Sequence, residues 1–288
     1  MIAKKLIIKR VIILLFFYMA LALNIVNAKT FIKGEIIAGG IIIVNASPGS
    51  TVKLNGESIM ISDKGVFLVG FERKPQPTQI LEIYNENVLV EKITLNVKIR
   101  SYEIQRINGI KKEKVDPPQS VIDRIYMERN SVKESRKKSN LITSTYYNNG
   151  FVLPAKGPIS GVYGSQRILN GKPRSPHYGI DIALPKGHEV VSPMDGIVVF
   201  SNNDLYYSGG TIIIAHGQGL TTSYLHLSEI LVSVNDIVRR GELIGKVGAT
   251  GRATGPHLHW GAELKGKRID PKYLDVFNNL ILPSIMNP

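Results

Sequence analysis

The 288-residue chain contains no cysteine. Disulfides, thiolate metal sites and a cysteine nucleophile are thereby excluded, and any metal must be held by nitrogen and oxygen donors. Histidine is absent before position 177, and all six histidines fall between His177 and His259. No fixed-period repeat is visible, which excludes a solenoid or propeller array. Acidic residues are outnumbered, 23 against 36 basic ones, for a net charge of +13. Such a charge draws a protein to polyanions, whether nucleic acid, anionic headgroups or wall polymers. No interleaved aromatic and basic pattern accompanies it, so charge alone supports no nucleic-acid reading. Apolar residues at 43% and charged residues at 20% describe a globular chain long enough for one large domain or two modest ones.

Residues 1–28 hold Lys4, Lys5, Lys9 and Arg10 and no acid. The run 11–26 (VIILLFFYMALALNIV) is almost wholly apolar, and Val26-Asn27-Ala28 places small residues where a signal peptidase reads. This layout predicts a signal peptide over residues 1–28, cleaved after Ala28 or retained as an anchor. A membrane partner is expected only if the segment is retained. Export to the periplasm or cell envelope follows in either case, and genomic DNA is not an expected partner.

Residues 29–115 read as an accessory β domain. Runs such as TVKLNGESIMI and GVFLVGF alternate with turn signals at Ser47-Pro48-Gly49, Asn55-Gly56 and Asp63-Lys64-Gly65. The spacing predicts a small β-sandwich-like module, with 101–115 as a connector. Residues 116–150 predict a helix and linker. Asp116-Pro117 is the expected helix start, Val121, Ile122, Ile125 and Tyr126 the apolar stripe, ERNSVKESRKK a solvated end, and Asn148-Asn149-Gly150 the linker. Residues 151–288 predict a mostly β domain with glycine-punctuated loops, and a helical pattern returns only in the last dozen residues.

Three segments of that domain carry chemistry. In GPHLHWGAEL (255–264), strand alternation puts Leu258, Trp260, Ala262 and Leu264 on one face and His257, His259, Gly261 and Glu263 on the other. In HYGID (177–181), Gly179 and the IDIALP run imply a loop entering a strand, with His177 and Asp181 as a credible metal pair. In TTSYLHL (221–227), alternation groups His226 with Thr222 and Tyr224. His216 reads as structural or groove-lining and His188 as a surface turn residue. Arg252, in the turn-rich GATGRATGP (248–256), is either a substrate-carboxylate contact or a solvated loop arginine. Two histidines and one aspartate can hold a metal and leave a fourth position open, as catalytic rather than structural sites do.

Taken in order, HYGID, HGQGLTTSYLHL and GATGRATGPHLHW resemble the lysostaphin/LytM-type zinc metallopeptidases over about residues 151–275. The resemblance implies an antiparallel β-sheet with a groove across it and one zinc ion per chain. It implies His177, Asp181 and His259 as metal ligands and His226 and His257 as catalytic histidines. Peptide cross-links or stem peptides of peptidoglycan are the implied substrates, and hydrolysis of their amide bonds the implied activity. The alternative from another class is a non-catalytic wall-binding factor that activates other wall hydrolases.

Overall fold

The run Ile41-Ile42-Ile43-Val44 is continuously apolar because its strand is buried on both faces. In the computed structural model, which describes residues 30–278, Ile41–Asn45 lies between Phe31–Gly34 and Val66–Gly70 in a three-stranded antiparallel sheet. Ile42, Val44, Phe67 and Val69 pack with Val52, Leu54, Leu81 and Ile83 of a second sheet, whose strand order is Glu57–Ile59, Thr51–Leu54, Thr78–Asn85, Val88–Asn96. This is the expected sandwich-like module. The opposite face, Ile41, Ile43, Val66 and Leu68, joins the larger core around Trp260 and Leu264. Alternation on a two-sided strand thus ties both halves of the sequence into one compact unit from Phe31 onward.

The C-terminal half is built on an eight-stranded antiparallel sheet. Its order is Ile237–Val238, Gly196–Leu205, Gly209–Gly217, Leu220–Leu227, His257–Leu264, Ile180–Ala183, Ile159–Gly161, with Lys267–Ile269 also paired to His257–Leu264. Leu258, Trp260, Ala262 and Leu264 are buried, as alternation predicts.

The connecting region departs from expectation. Residues 101–115 are not a plain connector: Ile104–Ile107 pairs in parallel with Gln166–Leu169, and Lys112–Val115 forms a short helix. The long helix spans Ile122–Ser139 and does not begin at Asp116. Pro118 follows Pro117 and disfavours a helical backbone there, and the Asp116 carboxylate is drawn into ion pairs with Lys172 and Arg174. Of the expected stripe only Ile125 is buried, and Tyr126 is 67% exposed. The helix docks instead through Val132 against Phe200, Leu205 and Ile213. Its charged end is not wholly solvated either, because Arg136 is largely buried against Glu263. Pro271–Phe277 is a 3-10 helix. The signal-peptide reading of 1–28 and nearly all of the helical reading of the last dozen residues lie outside the described residues.

Because Ile43 belongs to the shared core, Ile43→Ala should cost about 2–5 kcal/mol, as buried large-to-small changes do. Urea unfolding followed by tryptophan fluorescence and far-UV circular dichroism should give coincident single transitions for both proteins. Two separated transitions in the wild type would contradict the shared core.

Candidate functional site

Register in the central sheet assembles the site. Asp181 on Ile180–Ala183 stands directly opposite His259 on His257–Leu264, and Ala183 stands opposite His257. Cross-strand partners share a face at about 5 Å between Cβ atoms, so the carboxylate and the imidazole meet. His177 arrives from the loop before the strand, anchored by its backbone N–H to the Ser165 carbonyl. His177 Nε2 lies 3.0 Å from Asp181 Oδ1 and 2.9 Å from His259 Nδ1, and His259 Nδ1 lies 2.8 Å from Asp181 Oδ1. Gly179 leaves room for this: a Cβ there would lie 2.7 Å from His259 Nε2 and 2.5 Å from the Trp260 carbonyl oxygen.

Backbone carbonyls fix the tautomers. His177 Nδ1–H donates to the Val162 carbonyl at 3.0 Å, His226 Nδ1–H to Thr250 at 2.8 Å, and His257 Nδ1–H to Gly255 at 2.9 Å. A carbonyl only accepts, so each of these rings carries its proton on Nδ1 and, when neutral, has a free lone pair on Nε2. Sequence reasoning missed Arg167, whose Nη2 donates to Asp181 Oδ2 at 2.6 Å. No spacing signal marks it, because its strand is placed by pairing with Ile104–Ile107, some 60 residues earlier.

His226 reaches the site by breaking alternation. Tyr224 stands opposite Trp260 and is fully buried in the core, so the expected grouping of His226 with Thr222 and Tyr224 is corrected. His226 has φ +65°, and pairing with Gly209–Gly217 shifts register at this point. The bulge turns His226 onto the His259 face, with its ring centroid 4.8 Å from that of His257 and 6.2 Å from that of His259. His216 stays apart as a structural residue, fully buried and bonded to the Asp195 carbonyl and the Thr222 hydroxyl. His188 is exposed in its turn.

Burial works against the Asp181 charge, but hydrogen bonds and positive charge from His177 and His259 outweigh it and hold the carboxyl well below the usual carboxylate range. Burial pushes His259 down to about 4, against the pull of Asp181. Burial, with His257 and His259 adding repulsion, pushes His226 down to about 3.

Three donor atoms therefore converge with at most one proton among them when the rings are neutral. Their mutual distances all fall within 4.8 Å. A divalent cation relieves that crowding, so the residues fit a metal. The donors open onto a cleft of about 500 Å³ bordered by Leu225, His226, Tyr207 and Arg174.

The comparisons agree with this geometry. Residues 175–271, which contain all three donors, match the family model described as Peptidase family M23. The chain carries an M23 domain. The peptidoglycan DD-endopeptidase ShyA of Vibrio cholerae is 45% identical over 121 residues, which is 42% of this chain and 28% of ShyA. The DD-carboxypeptidase/endopeptidase Mpg of Neisseria meningitidis is 43% identical over 95 residues, 33% of this chain and 22% of Mpg. The chain thus spans about a quarter of the length of these relatives. A solved structure from Pseudomonas aeruginosa, assigned to peptidase M23, superposes at TM-score 0.60 with 26% identity, covering 83% of this chain and 94% of that one. This last likeness extends well beyond residues 175–271. The family resemblance and the mainly β fold class read from the motifs are borne out.

His216 provides a pH test away from the metal donors. Burial lowers its pKa to about 4, against about 6.5 when unfolded. The unfolded state therefore binds more protons between those values, and stability rises with pH across that window. Acidification from 6.5 to 4 should remove up to about 3 kcal/mol through this group. Urea midpoints of wild type and His216→Asn across pH 4–7 check this, and equal slopes for the two proteins would count against it.

Proposed function

We propose that the chain is a zinc-dependent endopeptidase that hydrolyses peptide bonds of peptidoglycan. The convergence of His177 Nε2, Asp181 Oδ1 and His259 Nδ1 within 3.0 Å of one another carries this reading. A site of three nitrogen and oxygen donors with an open fourth position is the catalytic rather than the structural kind. When bound, zinc lowers the pKa of its water to near neutrality and polarises a carbonyl.

The chain's own groups supply the rest. His177, Asp181 and His259 hold the metal, and Arg167 fixes the free oxygen of Asp181. His226 and His257 present Nε2 toward the donors because their Nδ1 protons are committed to Thr250 and Gly255. The tautomer that the Thr250 carbonyl fixes leaves the His226 Nε2 lone pair free to accept a proton from the attacking water. Once protonated, the same nitrogen donates to the oxyanion that forms on the former carbonyl.

The peptidoglycan substrate is supported by the activities for which ShyA and Mpg are named, and a D,D bond is the corresponding choice. A wall substrate also fits the basic charge and the signal-peptide pattern of residues 1–28. Among the described residues no helix is long and apolar enough to cross a membrane. The complete donor set speaks against the non-catalytic activator alternative.

Digestion of isolated cell walls with the full-length protein, read by mass spectrometry of released fragments, tests the reading. Wild type should carry about one zinc per chain and release cut peptides. His259→Ala should lose both metal and cleavage. His226→Ala should keep its zinc while cleavage falls about 10²–10⁴-fold, the usual worth of a general base. Equal digestion by wild type and His259→Ala would sink the assignment.

A further inference from the structure

The cleft beside the metal donors has a second chemical character. Arg129, Arg167, Arg174 and Arg252 all line it, together with Asp116. Arg167 is committed to Asp181. Arg252 has no carboxylate partner among the described residues. Its guanidinium lies over the Tyr207 ring at 4.5 Å and makes one long hydrogen bond, 3.4 Å, to the Lys114 carbonyl. Burial is the main influence lowering its pKa, Tyr207 opposes it, and repulsion from Arg167, Arg174 and Arg129 adds to the lowering. Arg129 likewise has no acidic partner among the described residues.

Among the described residues, the carboxylate that pairs with this positive group from outside the metal site is that of Asp116. Asp116 Oδ1 accepts from Arg174 Nη2 at 2.8 Å, and Asp116 Oδ2 accepts from Lys172 Nζ at 2.6 Å. Arg174 Nη2 also donates to the Val115 carbonyl at 2.9 Å. A carboxylate bound by a guanidinium at the edge of the metal cleft is the geometry a substrate carboxylate would adopt. Fixed cations that repel one another gain most from such a ligand.

We propose that Arg174 and Arg252 form a carboxylate-binding subsite beside the metal centre, which takes a free carboxylate of the peptide substrate, and that Asp116 holds its Arg174 end in the absence of substrate. This rests on the peptidase reading and narrows its substrate to peptides carrying a free carboxylate near the bond to be cut. Arg129, exposed at the rim, attracts the anion but does not orient it.

Binding separates this from catalysis. Isothermal titration of the zinc-loaded full-length protein would use an uncross-linked stem tetrapeptide, which offers no cross-link to cut, and the same peptide with every carboxylate converted to carboxamide. Wild type should prefer the acid at least about 10-fold, and Arg174→Gln and Arg252→Gln should each bring the acid-to-amide ratio toward one, a loss of about 10–100-fold expected for a charge-assisted bond. Asp116→Asn should tighten binding of the acid several-fold, because the internal competitor is gone. Equal affinity of wild type for acid and amide, or an unchanged ratio in both arginine variants, would overturn the subsite. An unchanged acid affinity in Asp116→Asn would overturn its role as occupant. Failure of wall digestion with this ratio intact would instead count against the peptidase reading alone.

Discussion

Cross-strand pairing of Asp181 with His259 is the constraint on which the site depends. A carboxylate and an imidazole forced face to face by sheet register need no loop to bring them together. Their contact is held from both sides, by Arg167 on the second carboxylate oxygen and by the His177 ring across Oδ1. The cost is a buried carboxylate amid aromatic nitrogens. Partner hydrogen bonds offset it, which is the condition under which such a charge survives burial. The ligand face and the core face then follow from one strand, because Leu258, Trp260 and Ala262 alternate with His257, His259, Gly261 and Glu263.

That alternation is why so much of the site was legible from sequence. A period of two, read along 255–264, separates donors from core, and the glycine in HYGID marks the loop entering the strand, where the structure adds a close approach to His259. The same rule misassigned His226. A left-handed residue at a bulge reverses alternation locally, and a bulge depends on the partner strand's register rather than on the residues of its own strand. Arg167 and Asp116 were illegible for a related reason. Each acts across the fold, one on a strand ordered by Ile104–Ile107 and the other drawn to Lys172 and Arg174. Asp116 looked like a helix start because local chemistry allows it, and a long-range ion pair won.

The N-terminal region is more than a tether for the M23 domain. Arg73 Nε donates to the Gly164 carbonyl at 2.6 Å, and the Gly164 N–H donates in turn to the His177 carbonyl at 2.7 Å. Tyr102 closes against the same glycine, where an added Cβ would meet its ring at 2.1 Å, and Arg73 stacks on that ring at 4.4 Å. Two hydrogen bonds thus run from the accessory region to the backbone of His177. A second connection runs from Gln105, which accepts from Arg167 Nε at 3.4 Å, to the carboxylate of Asp181. Both connections end on donors from the 177–181 segment, whereas His259 is set by the sheet alone. The geometry of the donor trio is therefore shared between a rigid sheet and a loop buttressed by the N-terminal residues.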